Sequence, residues 1–446
     1  MANLKIQLAG ARSHVRRCCV AIAVCVIDPG HGFMHAWNER FDALGIEYLR
    51  SPAVAHPAAF DPEALVSYAI RKGRTSELRE VTGLGTWLVA SASGIKDFLK
   101  RLPSATLFRD FCQHLEATLP HLWVSGTATR ICKDESIGKF HVHYTETDGQ
   151  RARKVVASAV ILAMGPTSKW QVPKPFQSAM DSRLVLHIEE LLCKGSVQEG
   201  MDWRSPGQSA RVLVIGGGLS AALAALAAVR ANNRVTLRSR RPLVVTKDFD
   251  VAEEWLDTRK TNRQRAEFLR TRMDKRRQAI DQAAPGGVVP RAYAEQLLHL
   301  ARTSDRLELE VDEEIDHCQV RIGEGGAVYV NDRVFAQVIL ATGLVASPMC
   351  SPLYQQVQAE FDAKTVDDLP HLDTSLQWVD DEPLFVLGAN AALELGPSGG
   401  NLLGAIRGAK IISNELHDLM WARCKTNARP VSASAFARVD DDAVDE

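Results

Sequence analysis

The sequence lacks three features that often decide a function class. None of its nine cysteines forms a Cys-x-x-Cys pair or a repeated ligand spacing. That argues against a dithiol redox centre or a bound metal, and reads the thiols as reduced. The apolar run at residues 20–27 falls far short of the roughly 20 residues that span a bilayer, so no membrane partner is expected. Neither charge sign dominates: 53 Lys and Arg stand against 54 Asp and Glu, a formal net charge of −1. No global field therefore draws the chain to nucleic acid or to an anionic surface. What remains is 446 residues, 46% hydrophobic, enough for two or three domains with substantial cores.

The informative stretch is 211–241. Val212 to Ile215 is an apolar run without alternation, as in a strand buried on both faces of a parallel sheet. Gly216, Gly218 and Ala221 then spell G-x-G-x-x-A. The first glycine permits a tight turn, the second lets backbone approach a pyrophosphate, and the small third residue lets helix pack on strand. An Ala- and Leu-rich helix follows from Leu219, and Val235-Thr236-Leu237 reads as the next strand. The alternative is a tight turn with no ligand. After the second strand come Arg238, Arg240 and Arg241 around Ser239, with no carboxylate. Guanidinium groups there suit the 2′-phosphate of NADPH, where NADH would call for an acid. A solvated basic loop is the plain alternative.

The opening of the chain departs from this pattern. Val20 to Ile27 predicts a strand ending at Asp28, placed like an acid that holds a nucleotide ribose. Upstream, residues 8–14 contain only Gly10, so the glycine fingerprint expected there is degenerate. Lys5, Arg12, Arg16 and Arg17 without an acid share their composition with organelle presequences, a minor reading beside a cytoplasmic protein. Trp37 and Phe41 stand at helical spacing, and Arg50 and His56 lie in a Pro-containing loop. Those two are candidate cofactor or substrate contacts, with ordinary surface residues the equal alternative. Ser104 is placed to cap a helix through Leu107, Phe108, Phe111 and Leu115.

Two stretches repeat one another. Phe140 to Tyr144 alternates before Val160-Ile161-Leu162-Ala163-Met164-Gly165, and a hairpin at 320–330 precedes Val338-Ile339-Leu340-Ala341-Thr342-Gly343. Two copies of hairpin, apolar strand and terminal glycine predict two homologous domains, with Gly165 and Gly343 where backbone passes a cofactor. Between them, residues 195–209 read as a linker. Arg259 to Arg277, with nine Lys and Arg against two acids, reads as a solvated helix. Near the end a buried strand runs to Gly388, and the turn Gly396-Pro397-Ser398-Gly399-Gly400-Asn401 opens a helix. The tail has no apolar period and carries Asp440 to Asp442, which predicts disorder over 431–446.

Together these motifs resemble the flavoproteins with two dinucleotide-binding domains, and most of all the flavin-dependent N-hydroxylating lysine and ornithine monooxygenases. The resemblance spans roughly residues 20–420. It implies an α/β chain of two Rossmann-like domains, the NADPH domain inserted into the FAD domain, each with a small antiparallel hairpin or meander. Residues 1–170 and 347–430 would form the FAD domain and 171–346 the NADPH domain. NADPH would meet Gly216, Gly218, Ala221, Arg238, Arg240 and Arg241, and FAD would meet Asp28, Gly165, Gly388, Pro397, Gly399 and Asn401, with Gly343 closing the second copy. The implied chemistry is hydride transfer from NADPH to flavin, uptake of O2, and oxygenation of a small amine or other soft nucleophile by the hydroperoxyflavin. No residue stands out as catalytic acid or base. A flavin reductase or oxidase without oxygen insertion, and a degenerate NADPH-binding relative, remain as alternatives, and homo-oligomerisation is left open.

Overall fold

In the computed structural model, residues 23–81, 96–119, 121–147, 149, 151–165, 167–193, 209–246, 255, 258–283, 286–323 and 326–426 are described. The glycine-poor stretch 8–14, the basic opening, most of the linker and the acidic tail lie outside them. The described chain begins with β1 (Cys25–Asp28) and α1 (His35–Leu44), on which the rings of Trp37 and Phe41 stack 3.6 Å apart. Next come α2 (Ala64–Arg71) and α3 (Ala105–Ala117). Ser104 caps α3 as its position predicts, its Oγ accepting the Leu107 N–H at 3.0 Å.

From there β2 (Leu122–Asp134), β3 (Lys139–Glu146) and β4 (Ala152–Ala157) form an antiparallel meander, and β1 joins the start of β2 in parallel. The alternation at 140–144 has its expected cause: Phe140, Val142 and Tyr144 point into a core and their neighbours do not. Then come β5 (Val160–Leu162) and β6 (Ser168–Trp170).

A second sheet follows. It is built from β7 (Val185–His187) with α4 (Ile188–Cys193), β8 (Arg211–Ile215), α5 (Leu219–Arg230) and β9 (Arg234–Ser239). An excursion through α6 (Thr258–Arg270), α7 (Met273–Ala283) and α8 (Arg291–Thr303) returns to β10 (Leu307–Val311). The hairpin strands β11 (Val320–Gly323), β12 (Ala327–Val330) and β13 (Arg333–Phe335) precede β14 (Gln337–Leu340). The order is β10-β9-β8-β14-β7, all parallel. Val212 to Ile215 and the α5 residues Ala221 to Val229 are all buried, which explains why neither segment alternates.

The chain leaves this sheet along β15 (Leu344–Ala346), antiparallel to β6, and continues through α9 (Pro352–Phe361) to β16 (Leu384–Val386) and α10 (Leu402–Thr426). β16 lies parallel to β5. The first half thus repeats the second, with β2 beside β1 as β10 is beside β9, and β5 beside β16 as β14 is beside β7. A counterpart of β8 does not occur among the described residues.

The reading of 259–277 as one solvated helix needs correction. The chain breaks into α6 and α7, and Trp255, Phe268 and Arg276 are buried. Trp255 and Phe268 join a core formed mainly by residues 49–112. The Arg276 guanidinium donates to Glu394 at 2.5 Å and to the carbonyls of Leu393 at 2.9 Å, Leu269 at 2.8 Å and Thr271 at 3.2 Å. A planar group with five N–H donors can be buried when such partners surround it, and a charge count does not reveal them.

Candidate dinucleotide sites

The turn after β8 is shaped by what surrounds each small residue. At Gly216 (φ 149°) a Cβ would overlap the carbonyl oxygen of Ala341, so the strand end admits only glycine. Ala221 is fully buried beneath it, letting α5 start close to β8. At Gly218 a Cβ would lie 3.1 Å from the Gly287 backbone, so a neighbouring loop crowds that position. Gly218 is the N-cap of α5 and offers no side-chain cap. The first N–H groups of α5, unclaimed by a capping side chain, are suited to a pyrophosphate. Among the described residues this turn fits a dinucleotide.

The three arginines beyond β9 separate in space. Arg238 is buried, its Nε donating to Glu310 at 2.6 Å and its Nη1 to Cys318 Sγ at 3.5 Å. Glu310 is shared with Arg333, which also bonds Glu308 and Thr236 at 3.0 Å. Arg238 therefore belongs to a structural network across β9 and β10, correcting its placement as a phosphate ligand. Arg238 lies within β9, where Val235 to Ser239 are all buried, while Arg240 and Arg241 lie beyond the strand end and face solvent. Arg240 stands 3.7 Å from Asp316. Ser239 Oγ bonds the Arg241 backbone and sets the loop.

At the other site, β5 and β16 deliver Gly165 (φ 74°) and Gly388 (φ 87°) side by side, each with open space in the side-chain direction. Gly343 (φ 94°) does the same after β14. Asn390 ties the pair together, its Nδ2 donating to Gly165 O at 3.2 Å and to Tyr354 Oη at 3.0 Å. Pro397 opens a tight turn through Gly400, and Gly399 packs against Ala392. Asn401 Oδ1 accepts the N–H groups of Leu403 at 3.0 Å and Gly404 at 3.1 Å. Asn401 is thus the cap of α10. Asp28 ends β1 and accepts the Gly30 N–H at 2.7 Å, so one carboxylate oxygen already holds the turn. These strand ends leave room for one side of a nucleotide, and residues 8–14 lie outside the described residues.

Two histidines stand out. His56 is not a surface residue: it is buried against Phe111, its Nε2 3.3 Å from Pro62 O, and burial pushes it down to about 4. Arg50 is half-buried and also engaged. His187 was not singled out in the sequence. It ends β7 opposite Leu340, fully buried, stacked on Trp170 at 5.2 Å and 6°. Burial holds it below the usual histidine range, with the Gly343 backbone beside it. The signal was the Val-Leu-His run, a third strand end beside the glycine strand.

Residues 97–317 match the family model of L-lysine 6-monooxygenase/L-ornithine 5-monooxygenase. No curated protein matches the chain. Solved structures share its fold. The FAD-bound cadaverine monooxygenase of desferrioxamine biosynthesis from Erwinia amylovora is 15% identical, with a TM-score of 0.63 over 100% of this chain and 98% of that one. The ornithine hydroxylase of Pseudomonas aeruginosa is 15% identical, with a TM-score of 0.67 over 94% and 96%. The ornithine N-hydroxylase of Kutzneria sp. 744 is 16% identical, with a TM-score of 0.67 over 94% and 97%. The matched stretch takes in the G-x-G-x-x-A turn, and over residues 97–317 the chain is similar to the lysine and ornithine monooxygenases.

Proposed function

We propose that the protein is an FAD- and NADPH-dependent monooxygenase that N-hydroxylates a small amine. The observation that carries this is the uncapped α5 terminus at Gly218, with Arg240 and Arg241 at the rim, inside the region that matches the family model. Residues 171–346 form the NADPH domain, and 1–170 with 347–430 form the FAD domain. Bound there, the two cofactors supply hydride transfer and oxygen activation. The chain's own part is to hold them. Gly216 and Gly218 let the turn fold tightly under Ala341 and the Gly287 loop, the α5 terminus donates to the nucleotide phosphates, and Gly165 and Gly388 leave room at the flavin edge. No helix among the described residues is long and apolar enough to cross a membrane. A cytoplasmic location belongs to the same reading.

The test is NADPH oxidation under air by flavin-supplied protein, with peroxide and hydroxylamine both measured. The expected result is slow NADPH use with peroxide release when no amine is present, and hydroxylamine when a suitable amine is added. Oxygen-independent reduction of a quinone or disulfide without peroxide would instead make it a reductase. One observation favours a second reading, a relative that binds NADPH alone: residues 8–14 contain only Gly10 and no glycine fingerprint. Stoichiometric flavin in the purified protein would dismiss that reading.

A further inference from the structure

The loop that joins β10 to β11 is anchored against the end of β9. The Glu313 N–H donates to the Ser239 carbonyl at 3.1 Å. Ile315 is buried in the core that also holds Ile215 and Leu340. Cys318 is buried too, its Sγ accepting from Arg238 Nη1 at 3.5 Å and its N–H donating to the Ile315 carbonyl at 3.2 Å. A backbone bond, an apolar side chain and a thiol thus hold residues 313–318 beside the strand that ends in the arginine loop. Asp316 lies between the two buried anchors and faces solvent. Its Oδ2 stands 3.7 Å from Arg240 Nη1.

This places a carboxylate where the chain after β9 has none. Residues 238–241 carry only arginines and a serine, the composition that suits a 2′-phosphate. The fold brings Asp316 to the same spot from another loop. At 3.7 Å the two groups attract by charge without a hydrogen bond, so the pair can part. A carboxylate and a phosphate are alternative partners for one guanidinium, and their like charges repel each other.

We infer that Asp316 competes with the nucleotide 2′-phosphate for Arg240 and so limits the preference for NADPH over NADH. The inference rests on the reading of Arg240 as a contact of that phosphate. The test is calorimetric titration of the full chain with NADP+ and with NAD+ at low salt. Wild type, Asp316→Asn, Arg240→Ala and the double variant complete a cycle. Asp316→Asn binds NADP+ about three-fold or more tightly, as loss of a weak exposed pair and of one repelling charge requires, and NAD+ within about two-fold. Most of that gain disappears in the Arg240→Ala background and at high salt.

Unchanged NADP+ affinity, an equal gain for both nucleotides, or a gain that persists in full without Arg240 overturns the inference. A fall in NAD+ affinity with NADP+ unmoved also overturns it, by making Asp316 a ligand of the ribose hydroxyls. The two readings fail separately. A wild type that favours NADP+, with the same ratio in Asp316→Asn, keeps the NADPH site and removes the competitor. A wild type that binds neither nucleotide refutes the site itself, and the inference falls with it.

Discussion

Nucleotide selectivity should separate Arg238 from its neighbours. Arg240 and Arg241 face solvent, and the Arg240 side chain is 60% exposed with Asp316 nearby. A hydrogen bond to a charged partner contributes about 1.5–3 kcal/mol, and exposure with salt screening puts this site at or below the lower end. Removing both arginines should therefore cost about one decade in NADP+ affinity and leave NAD+ binding nearly unchanged. Arg238 is a different case. Breaking a buried pair by removing one partner costs about 3–5 kcal/mol, but Arg333 remains on Glu310 and should reduce the loss to about 2. Arg238→Met should thus lower the urea midpoint while holding the NADP+ to NAD+ ratio within about two-fold. Calorimetric titration of wild type, Arg238→Met and the Arg240→Ala/Arg241→Ala double variant at low salt, with urea unfolding of each, measures both quantities. If Arg238→Met abolishes the preference while the double variant keeps it, the division of roles drawn from burial along β9 is wrong.

Four further outcomes are expected. His56 is held near 4 against an ordinary 6.5, so the unfolded chain binds the extra proton between those values. Stability is full above pH 6.5 and falls as pH drops toward 4, by up to about 3 kcal/mol, and urea midpoints of His56→Leu should be flatter over that window. Arg276→Met leaves Glu394 buried and charged, costing about 3–5 kcal/mol by chemical denaturation, and Glu394→Gln in the same background should recover part of it. Gly404→Ala places a Cβ on the Ser398 carbonyl, so flavin retention after gel filtration should drop while nucleotide binding at the α5 turn survives. Gly218→Val should abolish binding of both nicotinamide nucleotides by displacing the Gly287 loop, and unchanged NADP+ titration would show that the loop yields.

Much of the fold was legible because its signals are local. The unalternating run at 212–215, the alternation at 140–144 and the Ser104 cap each report the immediate environment of a few residues, and the structure supplies that environment. The repeated strand ending in glycine was legible for the same reason. The fate of Arg238, Arg276 and His56 was not. Each is decided by a partner or wall far away in sequence: Glu310 for Arg238, Glu394 for Arg276, Phe111 and Pro62 for His56. A run of arginines looks the same whether its members meet solvent, a carboxylate or a ligand. His187 was missed because a single histidine after two apolar residues has no period to mark it.

The pairing of β6 with β15 has a consequence for how such a chain can change. Ser168 to Trp170 runs antiparallel to Leu344 to Ala346, and Gln171 N bonds Gly343 O at 3.0 Å. The two ends of the intervening segment therefore stand about one strand spacing apart, near 4.8 Å. A connection of about two to five residues could bridge that gap. Everything between can be excised, exchanged or acquired as one stretch of gene without rethreading the rest, provided that the Arg276–Glu394 and Arg40–Glu189 bridges to it, and its packing through Trp255 and Phe268 on the 49–112 core and around Leu44, are replaced. A recombination event needs to find only this one seam.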